Sequence, residues 1–375
     1  MSVGTDRLAA WAGTMRGHPR ADGLVVAHRS GEAPVVAARR LDRVAREEAE
    51  DRALAEGATR ASGAGDRAVP EEPDPERTCF ERDRDRIVHS TAFRRLSGKT
   101  QVFVFPADHM RTRLTHALEV AQIATAVARA TGLNVALAEA IALGHDCGHG
   151  PGGHASEDAF ADFLSDGYDH AVWGADVVLA PLNLCRETLD GIRNHSWSRP
   201  APATPEGAVV SWADRCAYTA HDLEDAAAAG IASPAEIPAD VRAVIGTTRS
   251  EQLGTFVGAL ISCIRETGTI GMWDDVAAAL AGLRAFNHER IYSRPDSLVQ
   301  AAAVQAVLRA LVEHFLQRPD RLPDGPAAPA GTPGAVRAAV TYVGGMTDRY
   351  AFTTAVRLLG WDERRVPAGI DLHRD

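Results

Sequence analysis

The sequence predicts an all-α protein, and three observations carry that prediction. From Cys79 onward apolar residues recur at helical spacing, as Leu114, Leu118, Ala121 and Val127 do. Strand alternation is nearly absent, with Thr100 to Phe105 the only good short candidate. Helix-start chemistry is present too: Asn134 reads as the N-cap of the alanine-rich segment that runs to Leu143.

Taken in order, residues 1 to about 38 have weak periodicity and read as loosely ordered. Arg39 to Ala58 is rich in Arg, Glu and Ala and reads as a charged surface helix. Ala61 to Arg77 carries Gly, Pro and acidic residues and reads as a linker. Residues 1–75 are therefore expected to form an N-terminal segment, and residues 76–375 a single helical domain. Within that domain helices are expected over Phe80 to Leu96, Leu114 to Ala130, Asn134 to Leu143, Phe160 to Leu164, Ala175 to Leu179, Arg186 to Arg193 and Glu206 to Ala229. Leu253 to Glu266, Met272 to Phe286, Ser297 to Gln317 and Ala335 to Leu359 continue the pattern, for about 10 to 15 helices in all. Pro319 to Pro333 reads as a Pro/Gly-rich surface loop.

Composition narrows the function classes. A net charge of −10 over 375 residues argues against broad nucleic-acid coating, so single-stranded DNA finds no support as a partner. It leaves room for an anionic substrate held by local arginines. Cys79, Cys147, Cys185, Cys216 and Cys263 are scattered with no CxxC pair, which speaks against zinc ribbons and disulfide frameworks and fits a reducing cytosol. Met1 to Arg16 has no apolar h-region, and no apolar run approaches the roughly 20 residues of a membrane span. The expectation is a soluble cytoplasmic protein with no membrane partner.

The densest chemistry lies in Gly144-His145-Asp146-Cys147-Gly148-His149-Gly150-Pro151-Gly152-Gly153-His154-Ala155-Ser156-Glu157. An adjacent His-Asp pair at a helix end offers a divalent metal one nitrogen and one oxygen. The glycines after it let backbone and substrate approach closely. His116, 29 residues before His145, and Asp214, 68 residues after Asp146, complete a set of two imidazoles and two carboxylates. Such a set suits magnesium, manganese or another first-row divalent ion better than a thiolate metal. Four protein ligands on an octahedral ion leave two positions for water and a substrate oxygen, the arrangement that activates water near neutral pH. Taken alone, His116 fits a core histidine and Asp214 fits an N-cap or a buried ion pair; the His-Asp pair and its glycine turn are what set them in a metal site.

Longer strings point to a family. Phe80 to Ser90 (FERDRDRIVHS), Phe93 to Leu96, Lys99 to Phe103, Arg111 to His116 (RTRLTH), Gly167 to His170, Ala217 to Asp225 (AYTAHDLED) and Gly345 to Tyr350 (GMTDRY) resemble bacterial deoxyguanosine triphosphate triphosphohydrolases of the HD superfamily. The resemblance covers roughly residues 44 to 362. It departs from the family's HDLGHPPFGH string at Cys147, Gly150 and Gly152, where loss of a bulky Phe implies a wider or reshaped pocket. It implies the HD-domain helical fold with additional C-terminal helices, and one divalent ion per site.

The resemblance also assigns roles. Arg113, one helical turn before His116, becomes a phosphate contact. His154 becomes the acid that protonates the departing 5′-oxygen, Glu157 holds it, and His170 helps bind phosphate; His149 is a further catalytic candidate. Asp214, Tyr218 and Asp222 share one helical face. Tyr218 would pack on the deoxyribose where a 2′-hydroxyl would clash, and Asp222 would take the 3′-hydroxyl. Gln101, in the Ser97 to Gln101 turn, is a candidate for reading the base, and Arg215 for binding phosphate. Arg111 reads as a surface arginine and Asp225 as part of a solvated acidic face.

The implied activity is hydrolysis of a deoxynucleoside triphosphate (dNTP), dGTP or others, to deoxynucleoside and inorganic triphosphate. A nucleotide effector and a homo-oligomer are further expectations. The alternatives are an HD phosphohydrolase acting on another nucleotide phosphate ester, or a nucleotide-binding regulator without catalysis. The Tyr218 and Asp222 stripe favours the first reading over the second. His154 and Glu157 speak against the third.

Overall fold

Side-chain caps set most helix boundaries. In the computed structural model, which describes residues 3–28, 36–39, 41–106, 109–323, 325 and 328–367, 16 α-helices are joined mainly by short turns. They are α1 Val3–Thr14, α2 Arg43–Ala53, α3 Cys79–His89, α4 Thr91–Arg95, α5 Arg113–Thr131, α6 Val135–Gly144, α7 Ala155–Ala161 and α8 His170–Trp173. Then follow α9 Arg186–Arg193, α10 Pro205–Ala228, α11 Ala239–Ile245, α12 Arg249–Thr267, α13 Asp274–Asn287, α14 Pro295–Gln317, α15 Pro333–Gly344 and α16 Asp348–Leu359. The all-α expectation holds. Asn134 caps α6 by accepting from the Leu137 amide, as the sequence indicated. Ser90 splits the expected 80–96 helix, ending α3 and accepting from the Phe93 amide to start α4. Thr347 likewise starts α16 and divides the expected 335–359 helix in two.

The chain divides into two compact units, Met1–Leu41 and Asp42–Asp375. The smaller contains α1 and an antiparallel pair, β1 His18–Pro19 and β2 Val25–Val26, with His18 opposite Val26. This is more regular structure than weak periodicity suggested. In the larger unit, residues 42–75 are tied to the helices that follow. The Ala55 amide donates to Gly132, Thr59 donates twice to Glu206, and buried Arg67 pairs with Asp83 at 2.6 Å. Those bonds tie residues 42–75 to the compact unit that begins at Asp42.

Two apolar cores fill the larger unit. One is built from α3, α5, α6, α9, α10, α12 and α13, around side chains such as Phe80, Ile141, Ile192 and Phe256. The other joins α7, α14, α15 and α16 around Phe160, Val304, Leu308, Val340 and Phe352. Helix α14 has 23 residues and an 18-residue window of mean hydropathy 1.2, long and apolar enough by composition to cross a membrane, which inspection of the sequence had not found. Its Val304, Val307, Leu308, Leu311, Val312 and Phe315 are instead buried in that second core.

Three other expectations change. Thr100 to Phe105 forms no strand; a single bridge pairs Thr100 with Thr112, and residues 100–104 bend to line a cavity. Arg111 is no surface arginine: it bonds Glu119, Glu224 and Asp225 and is 10% exposed. Asp225 is buried with it instead of facing solvent. In the 319–333 loop, Asp324, Pro326 and Ala327 lie outside the described residues.

Candidate active site

Helices α5, α6 and α10 pack on one another and carry the four proposed metal ligands. His145 follows the last turn of α6, where its Nδ1 donates to the Ala142 carbonyl at 2.7 Å. The carbonyl can only accept, so Nε2 is left as a lone-pair donor, and this fully buried atom has no hydrogen-bond partner. It faces Asp146 Oδ1 at 3.5 Å and Asp214 Oδ1 at 3.7 Å. From α5, His116 Nε2 lies 3.0 Å from Asp214 Oδ1 and 3.9 Å from Asp146 Oδ2. Adjacent ligands of an octahedral ion with bonds of about 2.1 Å stand about 3.0 Å apart, and opposite ones about 4.2 Å. His116, His145 and Asp214 bring their ligand atoms within 4.8 Å of one another, as ligands of one divalent cation would, with Asp146 beside them, and the orphaned His145 nitrogen is an atom such a cation would satisfy.

Electrostatics agree with a cation-binding basin. Burial works against charge on Asp146, yet Arg113 and the neighbouring imidazoles hold its carboxyl well below the usual range. Burial also opposes charge on Asp214, but His116 and His145 outweigh it and lower that carboxyl too. Arg113, 2% exposed, donates to Asp146 Oδ2 at 2.7 Å while its Nε and second amino nitrogen lack partners. One edge of the guanidinium thus positions a carboxylate and the other stays free for an anion.

The glycine-rich turn brings the next group against this basin. A Cβ at Gly148 would stand 1.9 Å from the His170 carbonyl, so only glycine allows that approach. Gly152 has φ +74°, and a Cβ there would meet Val304 at 2.4 Å. Val304 of α14 therefore occupies space beside the position where the family motif carries Phe, which tempers the expected widening of the pocket. Asp348, at the start of α16, accepts from the Gly152 amide and from Thr100, bracing the turn from behind.

His154 and Glu157 meet as the spacing suggested, with Nδ1 to Oε2 2.9 Å. Glu157 also reaches His170, accepting from its Nδ1 at 2.7 Å and from its backbone amide at 3.0 Å. One carboxylate orients two imidazoles. Burial opposes its charge, but those two histidines pull its pKa far down. Burial lowers the proton affinity of His170, and Glu157 reverses that and raises it. His149 stacks on His170 with centroids 3.7 Å apart and reaches Asp146 Oδ1 at 3.2 Å. Burial and Arg113 keep it neutral.

These groups open on a cavity of about 450 Å³. Arg113, His116, Asp146, His149, His154, His170, Asp214, Arg215, Tyr218, Asp222 and Gln101 line it; His145 and Glu157 stand directly behind. Along α10, Tyr218 accepts from Arg284 Nε at 2.8 Å, and Asp222 accepts from the Tyr292 hydroxyl at 2.5 Å. Burial raises the Asp222 carboxyl to about 7 despite that bond. Arg215 stacks over Trp197 at 3.6 Å. Gln101 presents an amide oxygen without a partner.

Sequence reasoning missed His195, Trp197, Arg284 and Tyr292, all lining the cavity. His195 repeats the local device of His145: it follows the end of a helix, α9, and its Nδ1 donates to the carbonyl three residues back, Ile192, at 2.8 Å. That histidine-after-helix pattern was the one signal available. Arg284 and Tyr292 carry none.

A helical fold that gathers a His-Asp pair, a distant His and a distant Asp into one basin defines an HD-domain phosphohydrolase. The HD domain family matches residues 113–219, and the phosphohydrolase-associated domain family matches residues 270–357. A deoxyguanosinetriphosphate triphosphohydrolase-like protein of Caldanaerobacter subterraneus is 41% identical over 312 residues, covering 81% of this chain and 92% of that one. One from Clostridium perfringens is 38% identical, covering 75% and 86%, and one from Deinococcus radiodurans is 37% identical, covering 84% and 98%. The chain belongs to the deoxyguanosinetriphosphate triphosphohydrolase-like family of HD-domain proteins.

Proposed function

We propose that the protein hydrolyses deoxynucleoside triphosphates at the α-phosphorus, releasing a deoxynucleoside and inorganic triphosphate. The observation that carries this reading is a single cavity with three chemistries in a row: a cation basin, a histidine–carboxylate pair, and a tyrosine–aspartate stripe. His116, His145, Asp146 and Asp214 would hold the divalent ion. When bound, it would acidify a water and polarise a phosphoryl oxygen. Arg113 offers its free guanidinium edge to phosphate oxygens, with Arg215 as a second cation lining the cavity. His154, held by Glu157, donates a proton to the 5′-oxygen as the P–O bond breaks, since an alkoxide leaves poorly without one. Tyr218 packs against the deoxyribose where a 2′-hydroxyl would sit, Asp222 accepts from the 3′-hydroxyl, and Gln101 faces the base.

The names of the three relatives support the substrate class, and the Arg284 and Tyr292 contacts support a rigid sugar pocket. Substrate entry from the cytoplasm, self-association and a nucleotide effector complete the reading. The 76–375 helical region is proposed as the catalytic body. The test is incubation of the purified protein with each dNTP and a panel of divalent metals, with products separated by ion exchange. Deoxynucleoside plus triphosphate is the expected pair. Slow or absent dNTP turnover alongside rapid hydrolysis of a nucleoside monophosphate or cyclic nucleotide would move the protein to another phosphate ester.

A further inference from the structure

We propose that Trp197 is a positioning residue for the substrate's phosphates: its indole face holds the Arg215 guanidinium at the cavity wall with the hydrogen-bonding edge open. The inference rests on the reading of Arg215 as a phosphate contact. The observation is an arginine with a partner for its face and none for its edge. Arg215 Cζ lies 3.6 Å from the centre of the Trp197 ring. Its Nε is buried and has no hydrogen-bond partner among the described residues. Both side chains line the cavity.

Local structure explains how the pair is built. Ser211, Trp212 and Arg215 follow one another within about a turn of α10. Ser211 Oγ donates to the His195 carbonyl at 2.5 Å, which fastens the segment after α9 to that helix. A turn follows, closed by the Arg199 amide on the Ser196 carbonyl at 2.9 Å. Trp197 thereby lies against α10. Trp212 meets it edge to face, with centroids 4.7 Å apart and planes at 75°, and Trp212 itself packs on the first apolar core. The aromatic shelf under Arg215 therefore has a fixed base. A lone arginine on a cavity wall samples many rotamers, and a ligand that binds it must freeze them. A guanidinium stacked on an aromatic ring keeps its N–H groups in its own plane, free to fork onto an anion. The stack thus orders the side chain before phosphate arrives and uses up no donor. A base cannot share that ring face, because Arg215 covers it. Trp197 is also 47% exposed, so its removal leaves little of the core unfilled.

The test is the affinity of the full chain, loaded with Mn²⁺, for inorganic triphosphate by isothermal titration calorimetry, arranged as a double-mutant cycle. Trp197→Ala should weaken binding by about 2- to 30-fold, the range of a cation–π contact. Trp197→Phe should restore most of that loss. Trp197→Leu keeps apolar bulk without a π face and should lose as much as Ala, so it decides the matter if the alanine variant does not fold. In an Arg215→Gln background, Trp197→Ala should cost nothing further. Wild-type affinity in the Ala or Leu variant, beside a weakened Arg215→Gln, would overturn the positioning role and leave the phosphate site intact. An equal loss in both backgrounds would overturn it as well, since Trp197 would then act without Arg215. Unchanged affinity in Arg215→Gln would remove Arg215 from the phosphate site, and this inference with it. A Trp197→Ala protein that binds dNTP weakly but triphosphate normally would make the indole a platform for the nucleoside instead.

Discussion

His145 and His154 flank one glycine-rich turn, yet their surroundings differ in kind. His145 is fully buried, locked by a backbone carbonyl, and faced by the carboxylates of Asp146 and Asp214. The His154 side chain is 74% exposed and hydrogen-bonded to Glu157. The first arrangement suits an ion, since His145 Nε2 has no hydrogen-bond partner among the described residues. The second suits proton transfer, where a group must meet a substrate oxygen and exchange with solvent. Burial and partners, not residue type, would separate the two proposed imidazole roles.

The largest expected effect lies at the buried end. Asp146→Asn should strip the metal and abolish detectable turnover while the far-ultraviolet circular dichroism stays helical. Asparagine is the better probe than alanine. Removing one partner of a buried ion pair costs about 3–5 kcal/mol, and Arg113 would be left with no partner at all. An Asp146→Asn protein that retains stoichiometric metal would break the contrast at its buried end.

At the rim, His154→Ala should lower kcat by about 10² to 10⁴ and keep its full metal content. Glu157→Gln should cost about 10- to 100-fold, because the carboxylate orients both His154 and His170. If His154 merely closes the turn after Gly153, His154→Ala would lower Tm and leave kcat within a few-fold of wild type. Further along the cavity, Tyr218→Ala should relax the preference for deoxy over ribo substrates more than it slows dNTP turnover. An unchanged ratio of kcat/KM for dGTP and GTP would remove Tyr218 from that role.

The smallest effect concerns stability. The Asp222 carboxyl is raised to about 7, so the native state holds its proton more tightly than the unfolded chain does. That contribution is fully present below about pH 4, the ordinary range of the group, and is lost as pH rises through about 7. Asp222→Asn removes the loss. Its Tm relative to wild type should therefore increase between pH 5 and pH 8. A gap that stays constant or narrows would show that Asp222 is ionised throughout.

Much of this contrast was legible in the sequence, for physical reasons. His145 and Asp146 follow a helix end, and Asp214, Tyr218 and Asp222 share one helical face, placements that local spacing gives in advance. Helix boundaries followed where a cap residue marked them, as at Asn134. What spacing does not reveal is contact between distant segments. The bracing of Gly152 by Asp348, the pairing of Arg111 with Glu224 and Asp225, and the Tyr292 hydroxyl on Asp222 join residues 70 or more positions apart. Thr100 to Phe105 misled because its alternation reflects one wall of a cavity, where apolar residues face inward without a neighbouring strand. The same limit hid Val304, whose packing on Gly152 depends on where α14 docks.

The central claim is attack at the α-phosphorus with departure of the nucleoside 5′-oxygen, and the position of a solvent oxygen tests it most directly. A single turnover of dGTP in ¹⁸O-labelled water should place one heavy oxygen in inorganic triphosphate and none in deoxyguanosine. Label in a nucleoside monophosphate, pyrophosphate or orthophosphate formed as the first product would contradict the account.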